Sequence, residues 1–339
     1  MSRPRIICVT PIKNEEWILE RFLRCTELWA DEIILADQQS TDRSRAIAAA
    51  HPKVRVIDNP NPAYSEGERQ KLLLAAAREY TGPRVIVALD ADEILSAEVL
   101  TDLEWEQAIT MPPGSVIRFS RTDLTEAAAG YMYDSFKDAG FHHPFACIDD
   151  GSAHEVQQIH SPRVPVPPHS RQMSLNRVRV LHYQFCDPAR VESKHRWYRC
   201  YERLQFPHKS LVTIHRIYDW MRRIPRQTRL CQPTWFADYA ERGIDMTTIH
   251  SNRFYWWDWE ILRLFQKHGV GPFVGLDIWD VDWEFVRQQA LSLGMPDVPS
   301  SPISAPDGGA QSFALRMLKN TTNSRFRPIT DRFLDWFVV

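Results

Sequence analysis

Val85-Ile86-Val87-Ala88-Leu89-Asp90-Ala91-Asp92-Glu93 joins an unbroken apolar run to a cluster of three acids. Five consecutive apolar residues ending abruptly in polar ones predict a buried strand over 85–89, of the kind found in parallel sheets. Asp90 and Asp92 lie beyond its carboxyl end, one small residue apart, so both carboxylates can aim at one point. The same alternation recurs upstream. Residues 5–9 read as a short strand ending at the turn Thr10-Pro11, residues 32–36 as a second closed by Asp37-Gln38-Gln39-Ser40-Thr41-Asp42, and residues 54–57 as a third. Between the first two, Ile18, Phe22, Cys25 and Trp29 recur at helical spacing after Asn14-Glu15-Glu16, acids suited to a first turn. Ser40 or Thr41 is expected to cap an alanine-rich helix reaching residue 50. Ser65-Glu66-Gly67-Glu68 fits a capping box that opens a helix through residue 77. This order implies an α/β fold with right-handed crossovers and a mostly parallel, Rossmann-type sheet flanked by helices. Ligands of such sheets bind beyond the carboxyl ends of the strands, where Thr10-Pro11, Asp37 and the D-A-D turn share one rim.

Hard divalent cations prefer oxygen ligands, and Mg²⁺ takes one or two carboxylates plus phosphate oxygens. An isolated D-x-D is as often a solvated acidic turn; its place on the rim favours metal binding. Two other D-x-D chemistries fit poorly. A haloacid-dehalogenase-type phosphatase carries Thr or Val two residues after the second acid, where this chain has Ile94, and its motif follows the first strand. A nucleotidyltransferase needs a glycine-rich loop after the first strand, and Thr10 to Glu16 contains no glycine.

Four runs, I-I-C-V-T-P-I-K-N-E-E, I-I-L-A-D-Q-Q-S-T-D, S-E-G-E-R-Q-K and V-I-V-A-L-D-A-D-E, resemble in order and spacing the family 2 glycosyltransferases of GT-A fold. The resemblance covers residues 5–95. It extends more thinly to His154-Glu155 and to Leu181-His182-Tyr183 with the basic helix that follows. It implies inverting, metal-dependent transfer from a nucleotide-sugar donor to an acceptor hydroxyl. Thr10 and Pro11 would line the nucleotide, Glu15 or Glu16 would sit near base or ribose, and Asp37 would address the base. The family often has Asp-Asp-Gly-Ser where this chain has Asp37-Gln38-Gln39-Ser40. Arg69 would face the diphosphate, with Lys194 as a second cation. Asp90 and Asp92 would hold Mg²⁺ or Mn²⁺, with His182 approaching the same ion. The acceptor hydroxyl needs a general base; Glu155 is the first candidate and the Asp149-Asp150 pair the second, although Asp149-Asp150-Gly151-Ser152 also reads as a polar turn. A glycan or lipid-linked acceptor and a role in surface glycan biosynthesis follow from the same resemblance. A non-catalytic nucleotide- or carbohydrate-binding protein on this fold is the alternative, and the altered Asp37-Gln38-Gln39 loop is what points to it.

Forty-one basic against 43 acidic residues leave a formal charge of −2, which argues against a nucleic-acid partner. The apolar run near the N-terminus, residues 6–9, is too short for a signal peptide, and no stretch reaches the length of a membrane span. Six scattered cysteines without a C-x-x-C pair predict free, mostly buried thiols. Together these features predict a cytoplasmic protein, with association at the inner face of the membrane as a second expectation.

The expected organisation is a catalytic domain over 1–183, a helical extension over 184–295, a flexible Pro/Ser/Gly-rich linker over 296–312 and a terminal segment over 313–339. Residues 161–168 carry four prolines and read as an exposed connection. In the extension, helices are expected at 188–205, 211–223, 254–267 and 283–293. Arg196, Arg199 and Arg203 share one face of the first, with Glu192 four residues before Arg196, which reads as a solvated, salt-bridged surface. Nine of the 12 tryptophans fall from Trp197 onward, and Phe254, Trp257, Ile261, Leu264 and Phe265 recur at helical intervals, which indicates core packing.

Overall fold

The computed structural model describes residues 3–61, 65–125, 128–133, 141–157, 161–219, 227–251, 254–306 and 309–337. Arg5–Ile12 (β1), Glu32–Asp37 (β2), Val54–Asp58 (β3) and Arg84–Ala88 (β4) pair in parallel in the order β3-β2-β1-β4. β1, β2 and β4 are largely apolar on both faces because both faces are covered, whereas the edge strand β3 is only partly buried. Ile6, Cys8, Ile33, Leu35, Val85 and Val87 pack with Phe22 and Leu23 of Leu19–Thr26 (α1). Ser44–Ala49 (α2) follows β2, and Glu66–Arg78 (α3) sets Leu73, Leu74 and Ala77 against Ile7, Val9, Ile34 and Ile86 on the opposite face.

The strand does not stop at Thr10-Pro11. Pairing of β1 with β4 ends at Val9, whereas pairing with β2 runs on to Ile12, so Pro11 lies where only one neighbouring strand remains. Asn14 takes φ +56° and α1 begins only at Leu19, which leaves Glu15 and Glu16 in the turn before the helix. The entry to α2 also differs from expectation: Arg43 stands at the N-cap without a side-chain bond, and Asp42 Oδ1, not Ser40 or Thr41, accepts the Ser44 amide at 2.9 Å. Ser65 caps α3 by accepting the Glu68 amide at 3.4 Å, while the Glu68 carboxylate pairs with Lys71.

Beyond β4 the sheet becomes mixed. Glu93–Leu95 (β5) runs antiparallel to Gln172–His182 (β9), and Leu103–Ala108 (α4) precedes Val116–Thr125 (β6). Gly130–Tyr133 (β7) and His142–Ile148 (β8) flank β6, β8 pairs antiparallel with β4, and β6 runs parallel to β9. Gln227–Leu230 (β10) closes the edge against β7. The proline-rich stretch after residue 160 is not wholly exposed, since Ser161, Val164 and Pro165 are buried.

The chain forms two units: residues 1–187 with 227–250, and residues 188–226 with 251–339. β10, with the residues after it to 250, belongs to the first unit, where it pairs with β7. The second unit holds Pro188–Gln205 (α5), Leu211–Tyr218 (α6), Trp256–His268 (α7), Trp283–Ser292 (α8), Gly309–Thr321 (α9) and Arg327–Phe337 (α10). Trp257, Ile261 and Phe265 are core residues, as their spacing predicts, and Trp259 is buried as well. At Arg196 and Arg199 the basic face of α5 is salt-bridged but not solvated, whereas Arg203 is partly exposed. Arg196 and Arg199 are buried, the first beside Asp258 and Asp280 and the second donating to the Asp277 carbonyl, and Lys194 lies over the Trp257 ring. The stretch expected to be a flexible linker is pinned. Trp259 Nε1 donates to Pro296 O at 2.8 Å, Arg287 to Pro299 O at 3.1 Å, and the Ile303 amide to Glu284 at 2.9 Å.

Candidate active site

The loops after β1 and β2 are stitched into one wall of the rim. Asn14 donates its amide to Ser40 Oγ, Glu15 to Ser44 Oγ and Glu16 to Asp42 Oδ2, at 2.9, 2.9 and 3.0 Å. Asn14 Oδ1 in turn accepts the Thr41 amide at 2.7 Å. Glu15 accepts from the Trp17 indole at 2.7 Å, and Glu16 accepts the Arg43 amide at 3.0 Å. Asp37, fully buried at the end of β2, accepts from Arg45 at 2.7 Å and from the Ser40 amide at 3.2 Å; Arg45 also reaches Asp58 at 2.8 Å.

Strand alternation separates the first two predicted residues. Thr10 shares its face with Cys8, whose Sγ is 3.8 Å from Thr10 Oγ1, and its side chain is buried toward the α1 layer, so only its backbone serves the rim. Pro11 points the other way, into a pocket of about 70 Å³ that it lines with Glu66, Arg69, Gln70, Asp90 and Arg163. The structure thus brings Pro11, Arg69 and Asp90 together.

The D-A-D turn is built by strand register. Glu93 and Asp123 both stand opposite His182, the first across the β5–β9 pair and the second across the β6–β9 pair. His182 Nδ1 lies 2.7 Å from Asp123 Oδ1, and its Nε2 lies 3.9 Å from Asp92 Oδ2. That second separation is wider than a hydrogen bond. Glu93 is fully buried, accepts the Asp90 amide at 3.0 Å and pairs with Arg163 at 2.7 Å; Arg163 also binds Asp90 at 2.9 Å. Burial pushes the Glu93 carboxyl above its usual range, and Arg163 opposes that rise. Glu93, Asp123 and Arg163 escape sequence reasoning. Glu93 sits inside the quoted motif, but nothing local distinguishes it from a solvated acid.

The base candidates lie elsewhere. Asp149 does not reach the rim: its side chain is buried at the opposite end of β4, bound by Arg78 at 2.7 Å and Arg84 at 2.8 Å. Its amide donates to Arg84 O, and the six residue steps from Arg84 to Asp90 span about 20 Å of extended chain. Burial raises its pKa, but the two arginine bonds more than offset this and leave it lowered. Asp150 caps the turn by accepting the Ser152 amide at 2.9 Å. Glu155 is exposed in the following segment, which lies along α3 so closely that a Cβ on Gly67 would stand 2.8 Å from Gln157 O.

Two carboxylates and an imidazole fixed by a third acid suit a divalent ion whose remaining positions are filled by phosphate oxygens. The fit is one of donor type: among the described residues, no group of three or more His, Cys, Asp or Glu is placed so as to hold a metal ion.

Residues 7–104 match the family model described as Glycosyl transferase family 2. No curated protein matches the chain. Among solved structures, glucosyl-3-phosphoglycerate synthase from Mycobacterium tuberculosis, in complex with Mn²⁺, UDP and glucosyl-3-phosphoglycerate, is similar at 22% identity and a TM-score of 0.26 over 36% of this chain and 43% of that one. The same enzyme with Mg²⁺ and UDP gives the same figures. A 4-diphosphocytidyl-2C-methyl-D-erythritol synthase is similar at 20% identity and a TM-score of 0.28, over 36% of this chain and 62% of that one. The matched segment spans less than two thirds of each of these proteins.

Proposed function

We propose, for a chain whose residues 7–104 carry a glycosyl transferase family 2 domain, that it is a metal-dependent, inverting glycosyltransferase acting on a nucleotide-sugar donor. The observation that carries the reading is the setting of His182 against Asp92, with Asp123 fixing the ring, at the carboxyl end of a parallel sheet. Asp90, Asp92 and His182 would hold Mg²⁺ or Mn²⁺. Such an ion supplies Lewis-acid stabilisation of the nucleoside diphosphate leaving group. Arg69, which lines the pocket with Asp90, adds fixed positive charge on the same side. Asp37 addresses the base, its carboxylate held by Arg45. Glu155 is assigned as general base for the acceptor hydroxyl; direct displacement on the face opposite the leaving group inverts the sugar without a covalent intermediate.

The acceptor is assigned as a glycan or lipid-linked sugar in surface glycan biosynthesis, with the protein at the inner face of the membrane. No helix among the described residues is long and apolar enough to cross a membrane. Support for a surface contact comes from the last helix of the second unit and the turn before it, where Phe326 of the turn and Ile329 and Phe333 of the helix are exposed, as are Arg325 and Arg332.

A thermal-shift titration of UDP-, GDP-, CMP- and dTDP-sugars, with and without Mn²⁺, tests the donor reading. Stabilisation by one nucleotide class only with metal, followed by slow donor hydrolysis, is expected. A donor retained indefinitely without hydrolysis or transfer would favour the non-catalytic binding protein. Glu155→Gln should keep donor binding and lose transfer; undiminished transfer would remove Glu155 from the base position.

A further inference from the structure

Arg163 is held by two acids in different situations. Its Nη1 pairs with Glu93 Oε2 at 2.7 Å, and its Nη2 forks between Glu93 Oε1 at 3.0 Å and Asp90 Oδ2 at 2.9 Å. The Glu93 side chain is wholly buried, so it needs a cation wherever it is ionised; the Asp90 side chain is 34% exposed and water can solvate it. The bond to Glu93 is therefore structural, and the bond to Asp90 is exchangeable. The backbone around Arg163 is anchored. Val164 is buried against the α3 layer, and the Ser161 amide donates to Glu66 at 3.1 Å. The guanidinium also lies 5.1 Å from the centre of the Phe145 ring. Arg163 is thus a fixed positive charge in the wall of the pocket that Arg69 and Asp90 also line.

We propose that Arg163 is the built-in counter-ion of the D-A-D turn. It neutralises Asp90 while no divalent ion is bound, and when an ion takes Asp90 the freed Nη2 donates to an oxygen of the nucleotide diphosphate. Glu93 retains the guanidinium throughout. A cation 2.9 Å from Asp90 weakens binding of a metal ion alone, and the same cation strengthens binding of the metal–diphosphate complex. Ion and donor consequently bind as a cooperative pair, with reciprocal coupling. This inference rests on the metal site proposed above.

The test uses the full chain and two probes: Mn²⁺ alone, followed by loss of the free-ion paramagnetic resonance signal, and the preformed Mn²⁺–pyrophosphate complex, followed by calorimetry. Arg163→Gln should bind Mn²⁺ alone roughly tenfold more tightly and Mn²⁺–pyrophosphate roughly tenfold more weakly than the wild type. Glu93→Gln leaves Arg163 to Asp90 alone and should shift binding of Mn²⁺ alone the opposite way, toward weaker affinity. A merely structural role would move both variants together or neither, and either result overturns the proposal. Should Arg163→Gln fail to fold with Glu93 left unpaired, the double variant with Glu93→Gln removes both charges and must show the same tighter Mn²⁺ binding. Wild-type binding of Mn²⁺–pyrophosphate with an unchanged Arg163 variant refutes the counter-ion role and leaves the transferase reading standing. Failure of the wild type to bind either probe removes the metal site, and this inference with it.

Discussion

His182 Nε2 stands 3.9 Å from Asp92 Oδ2 while its Nδ1 is bound at 2.7 Å to Asp123 Oδ1. Three strands make this geometry: β9 carries the histidine, β6 the acid behind it, and the turn into β5 the acid in front. Replacement of Asp92 by Asn keeps the shape of the turn, including the bond from the Tyr183 amide to the Asp92 carbonyl, and removes the charge. The expected result is loss of the Mn²⁺-dependent thermal shift with donor, with little change in the melting temperature of the free protein. An undiminished metal-dependent shift in that variant would falsify the D-A-D assignment.

Asp123 should matter to the ion through His182, although its Oδ1 also pairs with Arg121 at 3.4 Å. An acid behind a ligating imidazole fixes its tautomer and orientation, and loss of such a partner costs metal sites about 10- to 100-fold in affinity. Asp123→Ala is expected to weaken Mn²⁺ binding by that order while Asp92→Asn abolishes it. Equal Mn²⁺ affinity in the wild type and Asp123→Ala would show that His182 does not contribute to the ion.

The rim was legible in the sequence because each of its parts is local. Apolar runs and their polar ends locate β1, β2, β3 and β4 to within a few residues, and the D-A-D turn follows the last of them. The parts of the site that escaped are those that register supplies. Asp123 and Glu93 reach His182 across strands separated by tens of residues, and Arg163 lies in a proline-rich stretch whose composition reads as an exposed connection. Asp149 was misleading for the converse reason. Asp-Asp-Gly-Ser is a polar turn in any context, and only the antiparallel pairing of β8 with β4 shows that it closes the end of the sheet remote from Asp90. Alternation along β1 explains Thr10: once the strand continues to Ile12, its side chain must face the α1 layer and that of Pro11 the pocket.

Asp149 should behave as a structural acid. Its side chain is 1% exposed and accepts from Nε and Nη2 of Arg78 and from Nε of Arg84, so Asp149→Asn leaves Arg78 and Arg84 partly uncompensated. Breaking a buried ion pair costs about 3 kcal/mol. Urea unfolding should show a loss of that order, while transfer per folded molecule stays near the wild-type value at temperatures well below melting. A stable variant with abolished transfer would return Asp149 to the list of catalytic groups.

Gln39 occupies a backbone conformation that suits glycine, at φ +57°, in the turn that follows Asp37. A left-handed non-glycine residue costs about 1–2 kcal/mol, and glycine's greater freedom in the unfolded chain returns about 0.5–1 kcal/mol of that difference. Gln39→Gly is therefore expected to stabilise the protein by about 0.5–1 kcal/mol, visible as a small rise in urea midpoint. A fall in midpoint would mean that the Gln39 side chain contributes more to the loop than its backbone strain costs.

His215 gives the second unit an acid-sensitive element. Its ring is buried on α6, with Nε2 3.9 Å from Asp219 Oδ2, and among the described residues neither ring nitrogen has a hydrogen-bond partner. Burial lowers its pKa to about 4, with Asp219 and Asp277 opposing the shift and Arg199 and Arg216 adding to it. A histidine whose folded pKa lies below its unfolded value is protonated first in the unfolded chain. Its stabilising effect is therefore present above pH 6.5 and is lost as the pH falls from there toward 4. The loss across that window is of the order of 3 kcal/mol. His215→Leu removes the titrating ring and should flatten the acid branch of the stability profile between pH 6.5 and 4, measured by urea unfolding. An acid branch of unchanged slope would assign the sensitivity to the carboxylates of the unit instead.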